Sequence, residues 1–84
     1  MIKIDWRKKA YKQLTKIDRI NQKRIVEAVD NLKNWPNCQN IKTLTSHEYN
    51  YRLRVGNYRV FFELSDTLQI ITIEEVKKRD ERTY

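Results

Sequence analysis

The residues whose chemistry is easiest to read lie between Tyr49 and Phe62, in the stretch "YNYRLRVGNYRVFF", with arginine at positions 52, 54 and 59. Arginine is a planar, permanently charged fork of donors that matches the oxygens of phosphate. Several of them together could hold a phosphodiester.

Whether they meet depends on spacing. Arg52 and Arg54 alternate with Tyr51, Leu53 and Val55, the period of a strand with one buried face. Gly56-Asn57 reads as a two-residue hairpin loop, with Gly supplying the positive φ of a I′ or II′ turn. Closing the hairpin there sets Arg54 opposite Arg59 and Arg52 opposite Phe61. Opposed residues point to the same side, so one face carries Tyr51, Leu53, Val55, Tyr58, Val60, Phe62 and Leu64 as core. The other carries Arg52, Arg54, Arg59, Phe61 and Glu63. Like charges directly opposed cost a few tenths of a kcal/mol or more unless an anion lies between them. Phe61 adds a flat ring beside the guanidinium groups, suited to a stacked base. The competing reading is a solvated face on which Glu63 pairs with Arg52.

The elements around the hairpin follow from hydrophobic period. Ile2, Ile4 and Trp6 alternate with Lys3 and Asp5 as a half-buried strand, and from Arg7 the period lengthens, with Ala10, Leu14 and Ile17 at helical spacing. Asp18 is placed to cap a second helix in which Ile25, Val29 and Leu32 form a stripe that Val26 widens. That helix stops around "NWPNCQN", where Pro36 forbids continuation. The link "IKTLTSHEYN" is weakly patterned, with Ile41 and Leu44 placed to pin it to the core. After the hairpin, "SDT" turns the chain into a last strand over Leu68 to Val76, where Ile70, Ile71 and Ile73 suggest burial on both faces. The expected order is β-α-α-β-β-β: an α+β domain over residues 1–84, with a helical hairpin packed on one face of a mainly antiparallel sheet.

Length and charge narrow the function. Eighty-four residues leave room for one thin core and no cofactor domain. The net charge of +7 calls for a polyanionic partner, whether nucleic acid, an acidic protein or a membrane surface. No apolar run approaches the ~20 residues of a spanning helix, and the start "MIKIDWRKK" has no signal-peptide core. The single Cys38 cannot close an internal disulfide, which favours a reducing compartment and a cytoplasmic location.

"YRLRVGNYRVFFEL" followed by the terminal "KKRDERTY" resembles the RelE toxins of the RelE/ParE superfamily of bacterial toxin–antitoxin pairs. The resemblance implies the fold order already read. It also implies a cofactor- and metal-independent endoribonuclease that inhibits translation by cutting mRNA in the ribosomal A site and is neutralised by a cognate antitoxin. Residue by residue, it assigns catalysis to Arg52, Arg54, Arg59, Arg79 and Tyr84; Lys78 and Arg82 of the terminal cluster, with Phe61 from the hairpin face, are expected to bind substrate. Lys78 and Arg79 compete for the same C-terminal basic position. In that chemistry a ribose 2′-OH attacks its own phosphorus and leaves a cyclic phosphate. The best-known RelE has lysines where this chain has Arg52 and Arg54. An arginine cannot serve as a proton carrier, so the general base is left open. The alternatives are a ParE-like DNA gyrase poison without nuclease activity and a non-catalytic basic RNA-binding module.

Three other groups invite chemistry. His47 in the linker suits acid–base work, although a lone loop histidine is more often simply solvated. Glu74 and Glu75 form a carboxylate pair in sequence, but neighbours in a strand face opposite ways, so the two are expected to offset local positive charge. Lys8, Lys9, Lys12 and Lys16 form a basic face that is either solvated or drawn to RNA phosphates.

Overall fold

The computed structural model describes residues 1–79, so Arg82 and Tyr84 lie outside the described residues. Strand β1 (Lys3–Trp6) leads into α1 (Lys8–Thr15) and α2 (Arg19–Asp30), which tightens into a single 3-10 turn at Asn31–Asn34. Four strands follow: β2 (Ile41–Thr43), β3 (Tyr51–Val55), β4 (Tyr58–Ser65) and β5 (Ile70–Lys78). They form one sheet in the order β1-β5-β4-β3-β2, antiparallel except for the parallel β1–β5 pair. The architecture is the expected α+β arrangement with one more strand. No helix among the described residues is long and apolar enough to cross a membrane.

Local chemistry sets the element ends. The Asp18 side chain accepts a hydrogen bond from the Asn21 N–H at 3.1 Å, capping α2 as its position predicts. The side-chain and backbone bonds from Asn21 favour its ionised form and hold the carboxyl below its usual value. The Ile25, Val29 and Leu32 stripe is fully buried, whereas Val26 is exposed, so the seam against the sheet is narrower than the sequence suggests. It meets Leu53, Tyr58, Val60 and Phe62 from the hairpin and Ile71, Ile73 and Val76 from β5. Trp35, at the end of the 3-10 turn, packs edge-on against Tyr51 and Phe62.

Boundaries differ from the sequence reading at both ends of β5, which runs on to Lys78 rather than stopping at Val76, and in the link after Pro36. Leu68 belongs to the turn before β5 and is exposed, because Gln69 adopts φ +55° and the chain straightens only at Ile70. The link after Pro36 begins with a true strand, Ile41 pairing with Leu53 and burying part of its side chain against the core.

Helix α1 protects the sheet where β1 stops. The Arg7 N–H donates to Ile73 O, ending the parallel ladder, and beyond it the Val76 N–H donates to Gln13 Oε1 at 2.7 Å. A glutamine side chain thus satisfies a backbone group that would otherwise be an open sheet edge. The same placement lets Lys9 reach over β5 toward Glu75.

Candidate active site

The hairpin pairs as its turn dictates: Val55 with Tyr58, Arg54 with Arg59, Leu53 with Val60, Arg52 with Phe61, and Tyr51 with Phe62. Gly56 has φ +57°, and Asn57 is not among the positive-φ residues, a II′-like pattern that only glycine adopts at its first position without strain. The turn also anchors the end of β5, since the Arg79 N–H donates to Asn57 O at 2.6 Å. Replacing Gly56 with valine is expected to cost on the order of 1–3 kcal/mol through backbone strain, although open space surrounds the missing Cβ. A lowered urea midpoint with an unchanged m-value is the measurement that checks it.

Arg52, Arg54, Arg59 and Arg79 line one recess with Gly56, Asn57 and Tyr58. Its volume is about 120 Å³. Pockets that enclose a small-molecule ligand run to roughly 300–1,000 Å³. The recess is therefore too small to enclose a whole small-molecule ligand and suits a single anionic group. Among the described residues, no carboxylate lies within 4.0 Å of any of the four arginines. Glu63, the alternative partner for Arg52, instead accepts from the Asn50 N–H. The Arg52 Nε is buried without a hydrogen-bond partner. Burial, followed by the charges of Arg59, Arg54 and Arg79, pushes the Arg52 guanidinium below its usual value. Because arginine keeps its proton in proteins, that shift records first the burial of the Arg52 guanidinium and then the crowding of like charge around it, with no described counter-ion.

The geometry separates the two C-terminal basic candidates. Lys78 pairs with Tyr58 and borders Gln13, Ile17 and Asp18 on the helix side of the sheet. Arg79, one residue on, enters the arginine recess. Of the two, Arg79 joins the other three arginines; Lys78, expected to bind substrate, faces away because strand neighbours alternate.

The arginine face is not open throughout. The loop between β2 and β3 folds over it: Leu44 N–H donates to Asn50 O, and Ser46 turns the chain at φ +53°. His47 stacks on Phe61 with centroids 5.1 Å apart and 15° between planes, while Tyr49 lies 5.7 Å from the same ring. Phe61 is only 6% exposed, so the ring expected to meet a base is covered, and His47 is the exposed ring of the stack. A linker poor in apolar residues hides this packing from pattern reading, although its aromatic residues 47 and 49 are the signal that could have found it.

Beneath the loop, Glu75 is 4% exposed. It meets Lys9 and Lys77, each at 3.3 Å, and accepts from the Tyr49 hydroxyl at the same distance. The expected face alternation of Glu74 and Glu75 is interrupted, because a register shift at Phe61/Phe62 leaves Glu74 unpaired in the β4–β5 ladder. Glu74 reaches Arg7 at 3.6 Å. Burial raises the Glu75 carboxyl, but the hydrogen-bonded ammonium groups of Lys9 and Lys77 outweigh it and hold the group below its ordinary value. Tyr49 is pushed up to about 12 by burial and by the Glu75 and Glu48 carboxylates, so it keeps its proton at neutral pH.

A lowered folded-state value means that the Glu75 pairs stabilise the fold above about 4.5, where an unfolded glutamate is ionised. That contribution is lost as pH falls through the folded value. The thermal midpoint is expected to drop between about pH 5 and pH 3 more steeply in the wild type than in Glu75→Gln, as followed by circular dichroism. Equal slopes would remove Glu75 from the acid transition.

Comparison with known proteins adds the family context. A family model described as the ParE toxin of the type II toxin–antitoxin system parDE matches residues 4–83. The fold is similar to that of archaeal RelE in its RelB complex from Pyrococcus horikoshii, with 24% identity, TM-score 0.81, and coverage of 95% of this chain and 97% of that one. It is similar to RelE in the RelB–RelE complex of Methanococcus jannaschii, at 26% identity and TM-score 0.73 over 88% of each chain. The isolated RelE toxin of E. coli superposes with TM-score 0.82 at 15% identity, over 99% of this chain and 89% of that one. No curated protein sequence matches the chain.

Proposed function

The chain belongs to the ParE toxin family of type II toxin–antitoxin systems, within the RelE/ParE superfamily, and from that premise we propose that it is a ribosome-dependent endoribonuclease of the RelE kind. The observation that carries the reading is the recess of Arg52, Arg54, Arg59 and Arg79, which has no described carboxylate near enough to neutralise it. Donors fixed in that geometry before substrate arrives stabilise a pentacoordinate phosphorane without reorganisation. The phosphorane's non-bridging oxygens would lie among the guanidinium groups, with the attacking 2′-oxygen and the leaving 5′-oxygen in line on either side. Tyr84, which resemblance assigns to the site, would stack on a base or bond the 2′-oxygen, and Arg82 would add a flanking phosphate contact. No cofactor or metal enters this scheme.

The proposed partners are a cognate antitoxin, as RelB is in the solved RelE complexes, and a ribosome carrying mRNA in the cytoplasm. The surplus of positive charge, including the exposed lysines of α1, favours salt-sensitive contacts with ribosomal RNA. The family description itself favours a second reading, a gyrase poison of the ParE kind. Incubating the purified protein with translating ribosomes, and separately with gyrase and DNA, distinguishes the two. Cuts confined to the A-site codon are expected. Cleaved gyrase–DNA complexes without mRNA cuts would establish the second reading, and RNA binding without either would leave a non-catalytic module.

A further inference from the structure

Resting on the nuclease reading, we infer that His47 is the platform on which an unpaired base of the mRNA stacks when the adjoining phosphate enters the arginine recess. One face of its ring rests on buried Phe61, at 15° and 5.1 Å, the Tyr49 ring lies tilted 5.9 Å away, and the residue as a whole is exposed. Its orientation is fixed before RNA arrives, because the Tyr49 N–H donates to His47 Nδ1 at 3.0 Å. The loop is held down by Tyr49 on Glu75 and by the Asn50 N–H on Glu63. An exposed loop histidine serving only as a solvated side chain has no need of that scaffold. A ring held in place loses little freedom when a base covers it.

The position fits the substrate. Phe61 is the cross-strand partner of Arg52, so the His47 ring stands one strand spacing from the recess, as a base stands beside its own phosphate. The tautomer argues against the acid–base role that His47 invites. With Nδ1 accepting from the backbone, the neutral ring carries its proton on Nε2 and offers no outward lone pair to abstract a 2′-OH proton. What it presents outward is an aromatic surface.

The test places 2-aminopurine at each position in turn of the A-site codon of mRNA on programmed ribosomes, with the scissile nucleotide 2′-deoxy so that nothing is cut. Wild type is expected to quench one position about twofold or more, as a stacked fluorophore requires. His47→Ala should abolish the quench and weaken binding by about 10-fold, the scale of one lost base–aromatic stack. His47→Phe, a ring without an N–H, should restore both, whereas His47→Gln should not. Quenching that survives His47→Ala, or rescue by Gln and not by Phe, overturns the assignment. The unmodified mRNA serves as the parallel arm. If wild type cuts it while the quench ignores His47, only this inference fails; if wild type neither binds nor cuts, the nuclease reading fails and takes the inference with it.

Discussion

Replacing Arg59 with alanine is expected to lower A-site cleavage by on the order of 10² or more while leaving the fold as stable as before, or slightly more so. Arg59 is half-buried, directly opposite Arg54, and its charge adds to that of Arg54 and Arg79 in depressing Arg52. Removing it relieves a like-charge pair worth a few tenths of a kcal/mol or more. It also removes a donor aimed at the recess, and the loss of one preorganised donor to a developing oxyanion costs roughly 2.7–4 kcal/mol of transition-state stabilisation. The two effects have opposite signs, which separates function from structure. Single-turnover cleavage on programmed ribosomes, together with a thermal melt, checks both. Unchanged activity in a folded variant would remove Arg59 from the chemistry, and a large loss of stability would show that it is structural.

The second large effect distinguishes neighbours. Arg79→Ala is expected to reduce cleavage by on the order of 10² for the same reason, whereas Lys78→Ala should change it less than about threefold. Only Arg79 lines the recess, and it is fixed there through its backbone bond to the hairpin turn; Lys78 lies against Asp18 and Gln13 on the other side of the sheet. Arg79→Lys should recover only part of the activity, because a lysine brings charge without the planar fork. The reverse order of effects would move the active basic residue to the helix face and dissolve the cluster as an active site.

The hairpin was legible because a two-residue loop around a positive-φ glycine leaves no freedom of register, and every pair from Tyr51/Phe62 to Val55/Tyr58 followed from it. The Asp18 cap and the Ile25, Val29 and Leu32 stripe were legible for equally local reasons. What escaped depends on contacts distant in sequence. Three residues, Ile41–Thr43, carry too little alternation to announce a strand, and only the β3 edge makes them one. The register shift beside Glu74 has no glycine to mark it. The cover over Phe61 requires His47 and Tyr49 to fold back across the sheet, and Tyr49 is held by Glu75, which lies 26 residues away. Sequence therefore placed the arginines on one face and misjudged their surroundings, taking Phe61 for an open ring and missing that the exposed His47 stacks on it. The choice between Lys78 and Arg79 was open for a related reason, since it turns on where β5 leaves β4, which the bond to Asn57 decides.

The central claim is that the four guanidinium groups grip the phosphodiester that is cut. Its most direct measurement is the affinity of wild type and Arg59→Ala for ribosomes programmed with 2′-deoxy mRNA whose scissile phosphate is either native or an uncharged methylphosphonate. Wild type is expected to lose about 10-fold or more in affinity on neutralisation of that one group, and Arg59→Ala to lose much less, because charge-assisted bonds to the phosphate are what the substitution already removed. Equal affinity of wild type for the two mRNAs would contradict the claim.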